Sequence, residues 1–461
     1  MVASSIKYSE LLKEKRLEGK FHLNPNAIYS RLLENSSLEL RELSSFGDLF
    51  NPSIFKRQYC EKSVSSVPYK QSHDIIKLNY ESSVFLSKNQ VEKLNLEVEE
   101  GWILITGFGT IVGYAGMVDD FLKGCAFANN VARLIVKDKD YNGYLTAFLK
   151  SKYGRAQINK NASGSAIRYI EAPGISKTLV PIIKQDLLKQ INNDIIRAKS
   201  IRENGYHSLL KAQEIFLKEL FTNEDKNFVK KVDKISISQI KSNSQTRLNG
   251  NTFINEGVYK LKQLQNKGVE FKDLKSLKYK ARRPGIFKRV KVNNENGIPY
   301  LKGADLSLLD PFAECEYLSK SKTPFIEEML LKENQILLTC AGNIGFSRII
   351  TKEFEEKEAI GSQDIIRIET DQEDFDIYYL FAYLSLDIVV SYINSLRYGS
   401  VIHRIEPFHI EELPVPVLSE EFRVKISELV KKYCESLYEA YKIENQAIAL
   451  IEKEIDLWQV S

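Results

Sequence analysis

The side chains of this chain best suited to meeting a ligand are cations that recur at matched places. Lys56-Arg57 follows Pro52-Ser53-Ile54-Phe55, and Lys288-Arg289 follows Pro284-Gly285-Ile286-Phe287, so one short pattern ends on a basic pair twice. Arg282 and Arg283, with Lys278 and Lys280, thicken the second copy. Arg155, Lys160 and Arg168 surround Gly164-Ser165-Ala166-Ile167, as Arg397, His403 and Arg404 surround Gly399-Ser400-Val401-Ile402. Lysine and arginine neutralise phosphates, and arginine grips a guanine edge with two hydrogen bonds. Each of these residues alone reads as an ordinary surface charge. Their recurrence beside matching turns makes the group a candidate binding surface.

A search for an active site returns nothing comparable. Gly107-Phe108-Gly109 has the look of an adenosylmethionine or nucleotide loop, but it recurs only as Cys340-Ala341-Gly342 and no acidic residue follows at a suitable place, which favours a structural turn. Asn51-Pro52-Ser53-Ile54 falls short of the Asn-Pro-Pro-aromatic signature of amino-methyltransferases. Glu411-Glu412 adjoins Pro414 and reads as solvated surface rather than an acid and base pair. The five cysteines have no CxxC spacing, the pattern of reduced thiols in an intracellular protein. His403 and His409 lack the ligand company of a zinc site, so no metal and no cofactor are expected. The balance of 65 basic against 61 acidic residues, net +4, excludes a polycation and leaves room for local basic faces.

The elements that position these residues are duplicated. Eight of the eighteen positions from Gly164 to Pro181 are identical to those from Gly399 to Pro416. Arg16-Leu17-Glu18-Gly19 echoes Arg247-Leu248-Asn249-Gly250, and Val67-Pro68-Tyr69 echoes Ile298-Pro299-Tyr300. Trp102 to Ile111 lies over Gln335 to Ile344, Asn129 to Leu134 over Gln363 to Ile368, and Tyr144 to Leu149 over Tyr379 to Leu384. Matches in one order along nearly the whole chain mark an internal repeat. Gly101 to Val118 carries no charge and is long enough to resemble a membrane span. Its five glycines fit two short buried strands, Trp102 to Thr106 and Thr110 to Tyr114, around a turn. The N-terminus shows no apolar secretion signal.

Each half reads as a mixed α/β globule closed by one long helix. Leu187, Ile191, Ile195, Ala198, Leu209, Ala212, Phe216 and Leu220 recur at helical spacing, as do Phe422, Ile426, Leu429, Leu437, Ala440, Ala447, Ile451 and Ile455, and such stripes can form a coiled-coil seam. A helix of about 38 residues reaches about 57 Å, so the first carries the chain away from one globule and the second leads it back, antiparallel, with the globules at opposite ends and related by an approximate twofold. Pro181 and Pro416 suit the boundary before each helix. Asn204-Gly205 is a weak point, costing about 1 kcal/mol against alanine, and a candidate kink. The polar stretch Thr222 to Asn251 is the natural linker.

Together the architecture and motifs resemble the specificity subunit of type I restriction-modification systems. The residues that carry the resemblance are Tyr398-Gly399-Ser400-Val401-Ile402, Ile405, Ile410, Leu413-Pro414-Val415-Pro416 and the helix after them. Ser163-Gly164-Ser165-Ala166-Ile167, Ile170, Ile175 and Val180-Pro181 form a degraded first copy, with Thr178-Leu179 where the second has Leu413-Pro414. The resemblance implies an α+β protein of two repeated target-recognition domains and two long helices: 1–182, first recognition domain; 183–222, first helix; 223–417, linker and second recognition domain; 418–461, second helix. It implies a non-catalytic, cytoplasmic reader of double-stranded DNA with a bipartite target, whose antiparallel helices set the spacer and dock two methyltransferase subunits, restriction subunits joining through these, with no membrane partner. On that reading Lys56, Arg57, Arg155, Lys160, Arg168, Arg282, Arg283, Lys288, Arg289, Arg397 and Arg404 are the candidate DNA contacts. Alternatives are a reader in a related phage-defence or type II-like modification complex, a single-chain DNA methyltransferase, and a coiled-coil scaffold without nucleic acid.

Overall fold

The computed structural model describes residue 22 and residues 24–78, 82–163, 168–221, 236–242, 250–370 and 376–458. The echo at Arg16-Leu17-Glu18-Gly19, the segment Gly164-Ser165-Ala166-Ile167 and most of the stretch from Thr222 to Asn251 lie outside the described residues. The chain divides into two compact units, Met1–Glu203 with Glu439–Ser461, and Asn204–Tyr438. The division falls inside both long helices, not at their ends, because half of each helix packs into each unit.

In chain order the first unit's strands are β1 (Glu39–Glu42), β2 (Gly47–Phe50), β3 (Tyr59–Cys60), β4 (Ser66–Lys70), β5 (Phe85–Ser87), β6 (Ile103–Thr106), β7 (Ala115–Met117), β8 (Ala126–Phe127), β9 (Val131–Val136) and β10 (Leu179–Ile182). They form sheets in the orders β2-β9-β6-β7, β3-β5-β4-β8 and β1-β10. The second unit has β11 (Phe271–Asp273), β12 (Tyr279–Arg282), β13 (Lys291–Val292), β14 (Gly297–Leu301), β15 (Glu316–Ser319), β16 (Ile336–Thr339), β17 (Ser347–Ile349), β18 (Ile360–Gly361), β19 (Ile365–Thr370) and β20 (Pro414–Pro416). Its sheets run β12-β19-β16-β17, β13-β15-β14-β18 and β11-β20. Rank by rank these are the same three sheets. Even the parallel pairing recurs, Tyr69 with Ala126 in the first unit and Tyr300 with Ile360 in the second.

The uncharged run from Gly101 resolves into a strand covered on both faces. Ile103 and Ile105 join a core with Ala132, Leu134, Tyr144 and Phe148, while Leu104 alternates into another with Ile75, Val98 and Val131. Covering both faces removes the need for polar alternation. The second strand of this pair begins at Ala115, not at Thr110 as expected, because residues 109–114 are taken up by the turn. No single helix among the described residues is long and apolar enough to cross a membrane.

Each of the two apolar helices expected after these strands is found, at Asn142–Lys150 and Ile377–Leu384. Their tyrosines reach the strand before each long helix. Tyr144 donates to the carbonyl of Pro181 at 2.5 Å, and Tyr379 to that of Pro416 at 2.7 Å. Burial pushes the pKa of both phenols up, keeping them neutral donors. Pro181 and Pro416 thus lie in strands, β10 on β1 and β20 on β11, a few residues before the helices begin.

The long helices are Gln185–Leu220 and Glu420–Leu457. In the first unit Ile191 and Ile195 of the former share a core with Ala447, Ile451 and Ile455 of the latter, and Arg197 pairs with Glu439 at 2.9 Å. In the second unit Gly205 lies against Ser436, and Phe216 tilts onto Tyr379 and Tyr383 with ring centroids 4.8 and 5.9 Å away. The rising number on one helix meets the falling number on the other, as antiparallel packing requires. Helical structure is continuous through Gly205, where a Cβ would come within 2.6 Å of the Ser436 Cβ. Close approach of two helices, not a break, accounts for the glycine.

Candidate nucleic-acid interface

Three connections meet in each unit. The first follows β2 or β12 and carries the Pro-x-Ile-Phe-Lys-Arg pattern. The second is the turn after β6 or β16. The third is a small hairpin, residues 398–404, in the second unit, and in the first unit the bridged pair Ser163 and Tyr169 at the equivalent place.

The turn is shaped by one buried threonine. At the end of β16 the Thr339 hydroxyl donates to the carbonyl of Asn343 and accepts from the Phe346 amide at 3.0 Å. At the end of β6 the Thr106 hydroxyl donates to the carbonyl of Ile111 and accepts from the Tyr114 amide at 3.0 Å. Gly109 and Gly342 adopt φ of +82° and +72°, the left-handed region in which a side chain is strained. An asparagine from the neighbouring helix closes each turn, Asn159 on the carbonyl of Val112 and Asn394 on that of Ile344, both at 3.0 Å. The Gly107-Phe108-Gly109 segment is accordingly a clamped turn rather than a nucleotide loop.

The hairpin is held by two backbone bonds between its ends. Tyr398 and Arg404 exchange amide hydrogen bonds at 2.9 and 2.8 Å, as Ser163 and Tyr169 do at 2.9 Å each. It is sewn to the turn by the same bridges twice, Ala341 with Arg404 and Phe108 with Tyr169. Gly399, at φ +95°, lets the chain double back, since a Cβ there would meet the Ile402 carbonyl oxygen at 2.5 Å. The tip stands clear of the protein, with Val401 91% exposed.

One residue in each unit ties the first connection to the segment before β9 or β19 and to the segment that follows residue 169 or 404, an equivalence of roles that the residue types do not show. Arg283 grips the Glu406 carboxylate with three bonds of 2.7 to 3.1 Å and donates to the Gln363 carbonyl at 3.2 Å. Asn51 does the same work in neutral form. Its amide nitrogen donates to the Asn129 carbonyl at 2.9 Å, and its oxygen accepts from the Ala172 amide at 2.8 Å. Burial acts against the Glu406 charge, but hydrogen bonds from Tyr398 and Arg283 outweigh it and hold the pKa below the usual glutamate value.

The candidate cations fall into two groups. Lys56, Arg57, Lys288 and Arg289 are exposed on the first connection. Arg57 is steered by Tyr69, whose hydroxyl accepts from its Nε at 2.7 Å, and Arg289 lies beside the equivalent Tyr300, whose phenol burial pushes up and Arg289 draws back. Arg282 is exposed and pairs with Glu369 at 2.9 Å. Arg404 is half-buried, 3.7 Å from Asp364, and Arg397 is half-buried nearby in sequence. The rest make contacts within their own unit. Arg155 stacks 4.2 Å from the Tyr114 ring, Arg168 donates to the Asn159 carbonyl, Arg283 anchors Glu406, and Lys160 forms a largely buried ion pair with Glu34 at 3.0 Å. The head groups of Lys160 and Arg283, both candidate DNA contacts, are each turned toward a carboxylate of their own unit.

Two further arginines were not anticipated. Arg133 in β9 and Arg367 in β19 are fully buried and donate to backbone carbonyls, Leu96 and Phe127 at 3.1 Å for one, Gly361 at 2.8 Å and Met329 at 3.2 Å for the other. Burial pulls the pKa of each down to about 10, so both remain cations at neutral pH. The visible signal was an arginine at one equivalent place in two otherwise apolar strands. Glu411 is half-buried and accepts weakly from the Ala281 amide at 3.5 Å, while Glu412 is exposed. Among the described residues, a carboxylate group able to hold a cation is Glu100, Asp120 and Glu203, but Glu100 and Glu203 are paired with Lys199.

A family model described as the type I restriction modification DNA specificity domain matches residues 266–453. No curated protein sequence matches. Among solved structures, the type I restriction-modification S subunit from M. genitalium is 13% identical, covering 93% of this chain and 97% of its own at a TM-score of 0.37. The HsdS subunit from Thermoanaerobacter tengcongensis is 13% identical, covering 92% and 95% at 0.27. The type IIG restriction endonuclease BpuSI is 12% identical, covering 41% and 30% at 0.30.

Proposed function

We propose that the whole chain is the non-catalytic specificity subunit of a type I restriction-modification complex, because residues 266–453 match the type I restriction modification DNA specificity domain. Each unit reads one half of a bipartite DNA target. The long helices fix the spacer and dock two methyltransferase subunits, through which restriction subunits join. One observation carries this reading. The first unit, all of whose strands lie outside the family match, repeats the second sheet for sheet, down to the threonine clamp, the bridges at residues 169 and 404 and the exposed Lys-Arg pair. Two like readers that differ in their loop residues suit two half-sites of different sequence. Phosphate contacts from the Lys-Arg pairs would position each unit, and the turns after β6 and β16, with the hairpin tip at Val401, would face the bases.

The test is co-expression with a methyltransferase subunit, followed by mapping of modified bases. A motif of two short specific blocks separated by an unspecified spacer is the expected product. Methylation at one continuous motif, or methyl transfer by the chain alone, would overturn the reading.

A further inference from the structure

The first connection of each unit holds an isoleucine out in water. Ile54 is 87% exposed and Ile286 is 84% exposed, and the two occupy equivalent places before a Phe-Lys-Arg sequence. Single exposed apolar residues are common and by themselves mean nothing. These two are set apart by their surroundings. The chain is fixed just before them by Asn51 and Arg283, through the bonds described above. It is held just after them by a partly buried ring: Phe55 packs against the cluster of Val67, Tyr69 and Leu86, and Phe287 against that of Ile298, Tyr300 and Leu318. The side chain of Gln90 adds a further tie in the first unit, donating to the Lys56 carbonyl at 2.7 Å and accepting from the Gln58 amide at 2.9 Å. An isoleucine anchored on both sides cannot fold back to hide its methyl groups. Its χ1 is stiff as well, so little side-chain freedom is lost when it is covered. Two exposed cations follow immediately in each case.

We propose that Ile54 and Ile286 are specificity-determining residues, each pressing its apolar side chain on one base pair of its half-site while the adjoining Lys-Arg pair holds the phosphates. This rests on the reading of the chain as a DNA specificity subunit. Apolar contact with a base takes two forms. One is packing on the methyl group of thymine in the major groove. The other is a wedge against an opened base step. Both need a rigid, protruding aliphatic group, and both gain from neighbouring cations that fix its register.

The experiment uses the full chain in complex with its methyltransferase partner. The wild type and the variants Ile54→Ser and Ile286→Ser are each used to select duplexes from a randomised pool, and affinities are measured for the selected site and for random-sequence DNA. Each variant is expected to lose selectivity at one position, Ile54→Ser in one block and Ile286→Ser in the other. The loss of affinity for the selected site should be about tenfold, the scale of one mismatched pair, with random DNA bound as before. Replacing thymine by deoxyuridine at that position should cost the wild type as much, and the variant nothing more, if the contact is to a methyl group. Enhanced 2-aminopurine fluorescence there, in the wild type alone, marks a wedge. Selection by both variants of the wild-type motif with wild-type affinity would overturn the proposal, as would an equal loss on selected and random DNA. If the wild-type complex selects no motif, the specificity reading itself fails. Removing an exposed side chain leaves the melting temperature in place, which separates these outcomes from misfolding.

Discussion

Gly205 offers a quantitative test of how the long helices pack. In an isolated helix, replacing glycine by alanine adds about 1 kcal/mol of stability. Here the new methyl would sit 2.6 Å from the Ser436 Cβ and 3.4 Å from the Tyr433 carbonyl oxygen. Overpacking of that kind costs about 1–3 kcal/mol. Taking the middle of that range, Gly205→Ala should lose about 1 kcal/mol net where propensity alone would gain as much. Ser436→Gly gives up about 0.5 kcal/mol of helix propensity. In the double variant the methyl has room, so about 1 kcal/mol is gained against about 0.5 lost, and the two changes together are mildly stabilising. The implied coupling of about 2 kcal/mol lies within the range seen for residues that touch. Urea unfolding of the four proteins by far-ultraviolet circular dichroism yields the cycle, and hydrogen exchange in the two helices localises it. If Gly205→Ala stabilises by its full propensity and shows no coupling to Ser436→Gly, the glycine is not a close-packing residue and the sequence expectation of a weak point returns.

Three more outcomes follow from the site. Lys288→Ala with Arg289→Ala should weaken DNA binding by the assembled complex and flatten the plot of log affinity against log salt by about 0.9 for each phosphate left unneutralised; an unchanged slope across a salt titration would remove both residues from the interface. Thr339→Val keeps the shape but strands the Phe346 amide and the Asn343 carbonyl, so unfolding should show a loss of about 1–3 kcal/mol, whereas Thr106→Val should cost less, because the Tyr114 amide keeps the Ile111 carbonyl at 3.3 Å. For Glu406, the folded-state pKa lies below the ordinary 4.5, so the stabilisation from its ionised form is present above pH 4.5 and lost as pH falls through the folded value. Thermal melts of wild type and Glu406→Gln should therefore differ at neutral pH and converge in acid; a gap that stays constant would show that the carboxylate charge is not what ties the first connection down.

Features that repeat or alternate locally were legible in the string of residues alone. The duplication was plain in the order of the matched segments, and the apolar runs at Ile103–Thr106 and Ile336–Thr339 announced strands because neither face meets water. Helical spacing over Gln185–Leu220 and Glu420–Leu457 announced the two long helices to within a few residues of their ends. Charge was read less well. Lys160 meets Glu34 across 126 positions and Arg283 meets Glu406 across 123, and no local pattern distinguishes such cations from Lys56 or Lys288, which stay in water. Nor could a string show that Asn51 and Arg283 do one job, because the equivalence lies in the carbonyls and loops they reach, not in their chemistry. Gly205 looked like a flaw for the same reason: propensity belongs to the residue, whereas the value of a missing side chain depends on what the folded chain brings against it.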